Sequence, residues 1–179
     1  MKKLSKKNYN KIGILGGTFD PPHKGHLYIT KIALKKLKLK KVLWLLTKKN
    51  PLKNSPYLSI NDRLKLSKKI TKKQNKIFVR YFDNKIKSSN TFNLLRYVKN
   101  KNKKSELFFL LGADNLSKFH KWKNWKKITK LAKIVIFPRK NYHIGSLNYL
   151  ASKVLNKKDL IYMNSKKINI SSSLIRKFW

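Results

Sequence analysis

The chain has 179 residues, of which 46 are lysine or arginine and 6 are aspartate or glutamate, giving a formal net charge of +40, and it contains no cysteine. Disulfides, thiolate metal sites and a cysteine nucleophile are therefore excluded. A hydrophobic fraction of 41% with 12% aromatics excludes a disordered polycation, which would be poor in both, and no segment reaches the ~18 uninterrupted apolar residues of a membrane span.

The length suits a single domain over residues 1–179, because domains average about 150 residues and no linker divides this chain. The basic opening "MKKLSKKNYNKIGIL" lacks an apolar run of signal-peptide length, so the expectation is a cytoplasmic protein without a membrane partner. Lysine is scattered over every segment, whereas arginine occurs only at Arg63, Arg80, Arg96, Arg139 and Arg176. That scatter reads as a solvated surface and not as a specific nucleic-acid interface, although phosphate-bearing ligands are attracted.

In chain order, "KIGILGG" reads as a buried strand. "GHLYITKIALKKLKL" follows with apolar residues at Leu27, Ile29, Ile32, Ala33, Leu34 and Leu37, close to helical spacing. "KVLWLLT" is strand-like, the proline-containing "KKNPLKNSPYLS" is a loop, "INDRLKLSKKIT" is helical and "KIFVRYFD" is a strand. The alternation continues with "NTFNLLRYVKN" as helix, "ELFFLLG" as strand, "NWKKITKLA" as helix, "KIVIFPR" as strand, "SLNYLASKVL" as helix and "LIYMN" as strand. Short apolar strands separated by amphipathic helices predict an α/β fold, a Rossmann-like doubly wound parallel sheet with helices on both faces. A ligand then sits beyond the carboxyl ends of the strands, near the first strand-to-helix turn.

That turn is "GILGGTFDPPHKGH", Gly13 to His26. Gly16 and Gly17 let a backbone approach a ligand closely, and their N–H groups, with that of Thr18, can point at an anion. Pro21 and Pro22 stiffen the loop, and the helix opening near Gly25 and His26 presents a partial positive charge suited to phosphate. If the helix begins near His23, His23 and His26 share one face. The spacing is neither the dinucleotide fingerprint nor the P-loop, and as a zinc pair the histidines find no third ligand nearby.

At these residues the chain resembles the nucleotidylyltransferase superfamily, whose first signature is H-x-G-H, here His23, Lys24, Gly25 and His26. The second signature, I-S-S-T-x-I-R, is matched by "ISSSLIR" from Ile170 to Arg176, with Ser173 in place of threonine. "LGADNLSKFHKWKNW" is similar to the aspartate and tryptophan motif of bacterial nicotinate mononucleotide adenylyltransferases, and "WLLTKKNPLK" to a loop of the same enzymes. The similarity runs from about residue 11 to residue 176.

The resemblance implies transfer of the adenylyl group of ATP to nicotinate mononucleotide, giving nicotinate adenine dinucleotide and pyrophosphate. It implies catalysis by His23, His26 and Arg176, and an ATP site of Gly16, Gly17, Thr18, Phe19, His23, His26, Asp114, Ser172, Ser173 and Arg176. The mononucleotide would meet Ser88, Ser89, Trp122, Lys123, Lys53 and Arg139, with Lys48 a further candidate in the loop and Trp125 left to packing. The family's threonine-x-aspartate-threonine stretch stands here as Ser88, Ser89, Asn90 and Thr91, an amide in place of the acid. With so few carboxylates no protein metal cage is expected, and Mg²⁺ would arrive on ATP. Phosphopantetheine adenylyltransferase and cytidylyltransferase relatives share the histidine signature and remain alternatives, as does a basic nucleic-acid-binding protein whose binding would fall steeply with salt.

Overall fold

The computed structural model describes residues 10–50, 52, 54–139, 150–166 and 169–179. Six strands, β1 (Asn10–Gly17), β2 (Lys41–Leu46), β3 (Ile77–Tyr81), β4 (Ser105–Gly112), β5 (Lys133–Phe137) and β6 (Leu160–Tyr162), form one sheet in the order β3-β2-β1-β4-β5-β6. All five pairings are parallel, so each connection must cross over a face of the sheet.

The crossovers are α1 (Lys24–Lys36), α2 (Ile60–Thr71), α3 (Asp83–Ile86), α4 (Thr91–Lys101), α5 (Ala113–Leu116), α6 (Trp125–Ile128) and α7 (Leu150–Val154), and α8 (Ser172–Arg176) closes the chain. Each long predicted helix begins where a side chain caps it. Ser59 accepts the Asp62 N–H at 3.1 Å to open α2, and Asn90 accepts the Asn93 N–H at 2.9 Å to open α4. Asparagine caps as well as aspartate, so the amide at position 90 has a structural role of its own. The predicted helix "NWKKITKLA" shrinks to the four residues of α6, and of "SLNYLASKVL" residues 146–149 lie outside the described residues.

Period-two alternation explains why the strands read as unbroken apolar runs. Ile12, Leu107, Phe109, Ile134 and Ile136 point to one face, where they pack with Leu94, Leu95 and Val98 of α4 and Ile128 of α6. Leu15, Val42, Trp44, Phe108, Leu110 and Val135 point to the other, against Ala33 of α1, with Ile60 and Leu64 of α2 packed beside them. Both faces are covered, as a parallel sheet requires. The strand order reverses between β1 and β4, and the crevice at that switch point is where such sheets bind ligands.

Candidate active site

A cavity of about 1220 Å³ opens at the carboxyl ends of β1, β2, β4 and β5. Its lining comes from the turn after β1, the loop after β2, the start of α4, the segment around Trp122, residues 137–139, and α8 with its approach.

His23 is the N-cap of α1 and only 6% exposed. Its Nδ1 accepts the Gly25 N–H at 3.1 Å, while its own backbone N–H donates to Nδ1 of His26 at 3.2 Å. The two histidines thus form a reciprocal capping box. The His26 N–H meanwhile donates to the His23 carbonyl at 3.0 Å. The Gly25 and His26 N–H groups at the start of α1 are therefore taken up locally. Because a backbone N–H can only donate, each Nδ1 is an acceptor, and a neutral ring must then hold its proton on Nε2. Burial, and then the neighbouring Arg139 guanidinium, push the His23 imidazole down to about 4, so it is neutral at physiological pH.

The spacing itself has a steric cause. A Cβ on Gly25 would lie 2.8 Å from Cγ2 of Ile170 and 2.9 Å from the His23 ring. Only glycine admits both the imidazole and the second signature. Phe19, in the left-handed region at φ 50° and 2% exposed, is stacked on Trp44 at 5.0 Å and tilted against His26 at 4.8 Å. It backs the His26 ring in addition to lining the cavity.

The second signature docks on the first. Ser171 caps α8 by accepting the Leu174 N–H at 3.1 Å, and the Ser172 hydroxyl donates to the Pro21 carbonyl at 2.9 Å. Arg176 donates to the Asp20 carbonyl, lies 3.5 Å from Oδ2 of Asp20, stands 5.1 Å over the Tyr57 ring and reaches Ser173 Oγ at 3.4 Å.

Of the residues expected in the site, Gly16, Gly17, Thr18, Phe19, His23, His26, Asp114, Ser172, Ser173 and Arg176 all line the cavity, as do Ser89, Trp122, Lys123 and Arg139. Ser88 does not: its hydroxyl accepts from Asn90 Nδ2 at 2.7 Å and Asn93 Nδ2 at 3.1 Å, fastening the start of α4. Thr91 and Asn90 reach the wall instead. Lys53 lies outside the described residues, and Lys48 is outside the wall, with its N–H held by Asp83 at 2.8 Å. Arg139 pairs with Asp114 at 3.4 Å and donates to the Ile170 carbonyl at 2.9 Å. Asp114 does not cap α5, whose N-cap is Gly112. Trp122 is half-buried against Phe109 and Phe119, at 6.1 and 5.0 Å, and Trp125 packs on Phe119.

Three charged residues were not anticipated: Asp20, Arg63 and Asp83, at 3%, 2% and 6% exposure. Sequence carries one signal for them, since an arginine among so many lysines marks a place where a planar fork is needed. Burial lowers the Arg63 pKa from the ordinary arginine value, opposed by the nearby Asp20, Tyr81 and Asp83.

No group of three or more His, Cys, Asp or Glu that could hold a metal occurs among the described residues. Both Asp20 oxygens accept main-chain N–H groups, from Tyr57 at 2.9 Å and Leu58 at 3.0 Å, and Asp114 faces Arg139. Both carboxylates are thus engaged with N–H donors or a guanidinium. No helix among the described residues is long and apolar enough to cross a membrane.

Residues 14–178 match the family model described as cytidylyltransferase-like. A protein of Pelagibacter ubique (strain HTCC1062) named "Probable nicotinate-nucleotide adenylyltransferase" is 48% identical over 167 residues, covering 93% of this chain and 92% of that one. A protein of the same name from Ruegeria sp. (strain TM1040) is 33% identical over 143 residues, 80% of this chain and 75% of that one. The structure of Plasmodium falciparum nicotinic acid mononucleotide adenylyltransferase complexed with NaAD has the same fold, with a TM-score of 0.78 at 21% identity over 95% of this chain and 84% of that one.

Proposed function

The chain belongs to the cytidylyltransferase-like family and, within it, to the nicotinate-nucleotide adenylyltransferases, and from that premise we propose that it transfers the adenylyl group of ATP to nicotinate mononucleotide, releasing pyrophosphate. Residues 1–179 act as one catalytic domain. The observation that carries the reading is the reciprocal cap of His23 and His26, which sets two Nε2–H donors in one cavity beside the second signature.

The 5′-phosphate of the mononucleotide is already an anion near neutral pH, so it needs no general base. Its oxygen forms the new bond to the α-phosphorus of ATP as the bond to the β-phosphate oxygen breaks, and the electron pair leaves with pyrophosphate. Charge grows on the phosphoryl oxygens, and fixed donors aimed there lower the barrier. His26 and His23 supply Nε2–H donors, Gly16, Gly17 and Thr18 supply main-chain surface, and Ser172, Ser173 and Arg176 meet the remaining phosphates. Mg²⁺ carried on the ATP oxygens would shield their charge.

Asp114 and Arg139 belong to the ATP half, because Arg139 ties Asp114 to Ile170 and stands close enough to depress the His23 pKa. The lining residues Ser89, Thr91, Trp122 and Lys123 take the mononucleotide, with Trp122 offering a ring face to the pyridine and Ser89, Thr91 and the Lys123 main chain meeting its carboxylate.

Pyrophosphate release from Mg-ATP with nicotinate mononucleotide, compared with nicotinamide mononucleotide, tests the reading, with His26→Ala as control. Release that favours nicotinate and disappears in the control supports it. Absence of release with either mononucleotide overturns it.

A further inference from the structure

We propose that Asp20, Arg63 and Asp83 form a buried clasp that fixes both ends of loop 48–58, which makes Arg63 and Asp83 positioning residues for the mononucleotide; the substrate named here rests on the function proposed above.

The loop after β2 supplies a wall of the cavity through Lys49, Asn50, Leu52, Asn54 and Tyr57, yet between residues 48 and 58 it contains no helix or strand among the described residues. Within it the Leu52 N–H donates to Asn50 Oδ1 at 2.9 Å and the Thr47 hydroxyl approaches the Lys49 carbonyl at 3.3 Å, while buried charged side chains hold its ends. At the first end, Asp83 Oδ2 accepts both the Thr47 hydroxyl and the Lys48 N–H at 2.8 Å. At the second, Asp20 accepts the N–H groups of Tyr57 and Leu58 through its two oxygens.

Arg63 joins the two. Its Nε donates to the carbonyls of Leu58 and Ser59 at 3.1 and 3.3 Å, its Nη1 to those of Thr18 and Thr47 at 2.7 and 2.8 Å, and its Nη2 to that of Lys48 at 3.1 Å. Every donation is to main chain. One rigid guanidinium therefore sets the distance between the turn after β1 and both ends of the loop, which a lysine with three donors on one nitrogen cannot do.

The cluster is expensive for a purely structural device. Asp83 Oδ1 is buried without a hydrogen-bond partner, and a buried unpaired oxygen costs stability. A carboxylate rather than a neutral acceptor at this place is offset by the Arg63 cation nearby, and the result is a loop whose ends cannot slide relative to Thr18. Misplacing a substrate by about 1 Å can cost about a hundredfold in rate, which is the scale on which such anchoring matters.

The clasp makes a split prediction. Asp83→Ala removes the acceptor that holds the Thr47 hydroxyl and the Lys48 N–H, breaks no direct contact with a residue assigned to ATP, and leaves the Thr47 N–H on the Gly17 carbonyl, so it raises the KM for nicotinate mononucleotide about tenfold while the KM for ATP stays within about twofold. Asp83→Asn keeps a side-chain oxygen and restores the mononucleotide KM to within about threefold. Arg63→Lys frees Thr18 as well as the loop and raises both KM values. Hydrogen exchange of the amides at 48–58, followed by mass spectrometry on the full chain, quickens in Asp83→Ala and returns toward wild type in Asp83→Asn.

Equal effects of Asp83→Ala on both KM values, a fall in kcat alone, or unchanged exchange at 48–58 overturns the clasp. The exchange comparison needs no substrate, so it decides the clasp even if wild-type protein releases no pyrophosphate, an outcome that would overturn only the proposed function.

Discussion

The backbone N–H of His23 donates to Nδ1 of His26 over 3.2 Å, and the two imidazole centroids stand 3.8 Å apart. The contact makes Nδ1 of His26 an acceptor, so the proton of the neutral ring sits on Nε2. His26→Ala removes that donor and one cap bond. It should lower kcat by about 10²–10³, as loss of one aimed donor to a developing oxyanion does. The stability loss should be only about 1 kcal/mol, the usual worth of a helix cap. Initial rates and thermal melts measure the two effects, and retention of more than a tenth of wild-type kcat would count against the role assigned to this ring.

Gly25 separates the histidines because nothing larger fits between His23 and Ile170. Gly25→Ala should overpack that contact by about 1–3 kcal/mol and push either the His23 ring or the second signature out of place. A folded protein with a lower melting temperature and activity reduced at least about a hundredfold is expected. Near-normal rates would show that the close contact of the two signatures is not needed for turnover.

The alternation of apolar strands and amphipathic helices was readable because both faces of the sheet are covered, so the central positions of β4 and β5 are apolar without interruption. The histidine pair was readable because it is local, three residues apart on one helix. Arg63 and Asp83 were not, because their partners at Thr18, Thr47, Lys48 and Leu58 are, the Thr47 hydroxyl apart, main-chain groups that any sequence would supply. Arg139 in "IFPRK" could be read only as a candidate for the mononucleotide, because its partners are distant in sequence. Its placement depends on β5 lying beside β4, which brings it to Asp114 across 25 residues of chain.

Burial and Arg139 hold the His23 pKa near 4, below the unfolded value of 6.5. The unfolded chain therefore binds more protons than the native one between about pH 4 and 6.5, so this histidine makes stability rise with pH across that window and contributes no slope above it. Protonation of Nδ1 would also break its bond to the Gly25 N–H. Thermal melts from pH 4.5 to 7.5 should show a steeper rise for wild type than for His23→Gln. Parallel profiles would mean that His23 titrates as an ordinary exposed imidazole.

Arg139 and Trp122 both line the cavity but have different partners, which allows the two substrates to be assigned by kinetics. Arg139 pairs with Asp114 and holds the Ile170 carbonyl, so its loss loosens the ATP half. Arg139→Ala should raise the KM for ATP about tenfold, the equivalent of about 1.4 kcal/mol, and leave the mononucleotide KM within about threefold. Trp122 rests on Phe109 and Phe119 with its remaining surface in the cavity, so Trp122→Ala should do the reverse by removing a stacking face. Two-substrate initial-rate series on both variants measure the split. A rise in the mononucleotide KM for Arg139→Ala, with ATP unaffected, would return Arg139 to the other half of the site and leave Asp114 without its assigned partner in binding ATP.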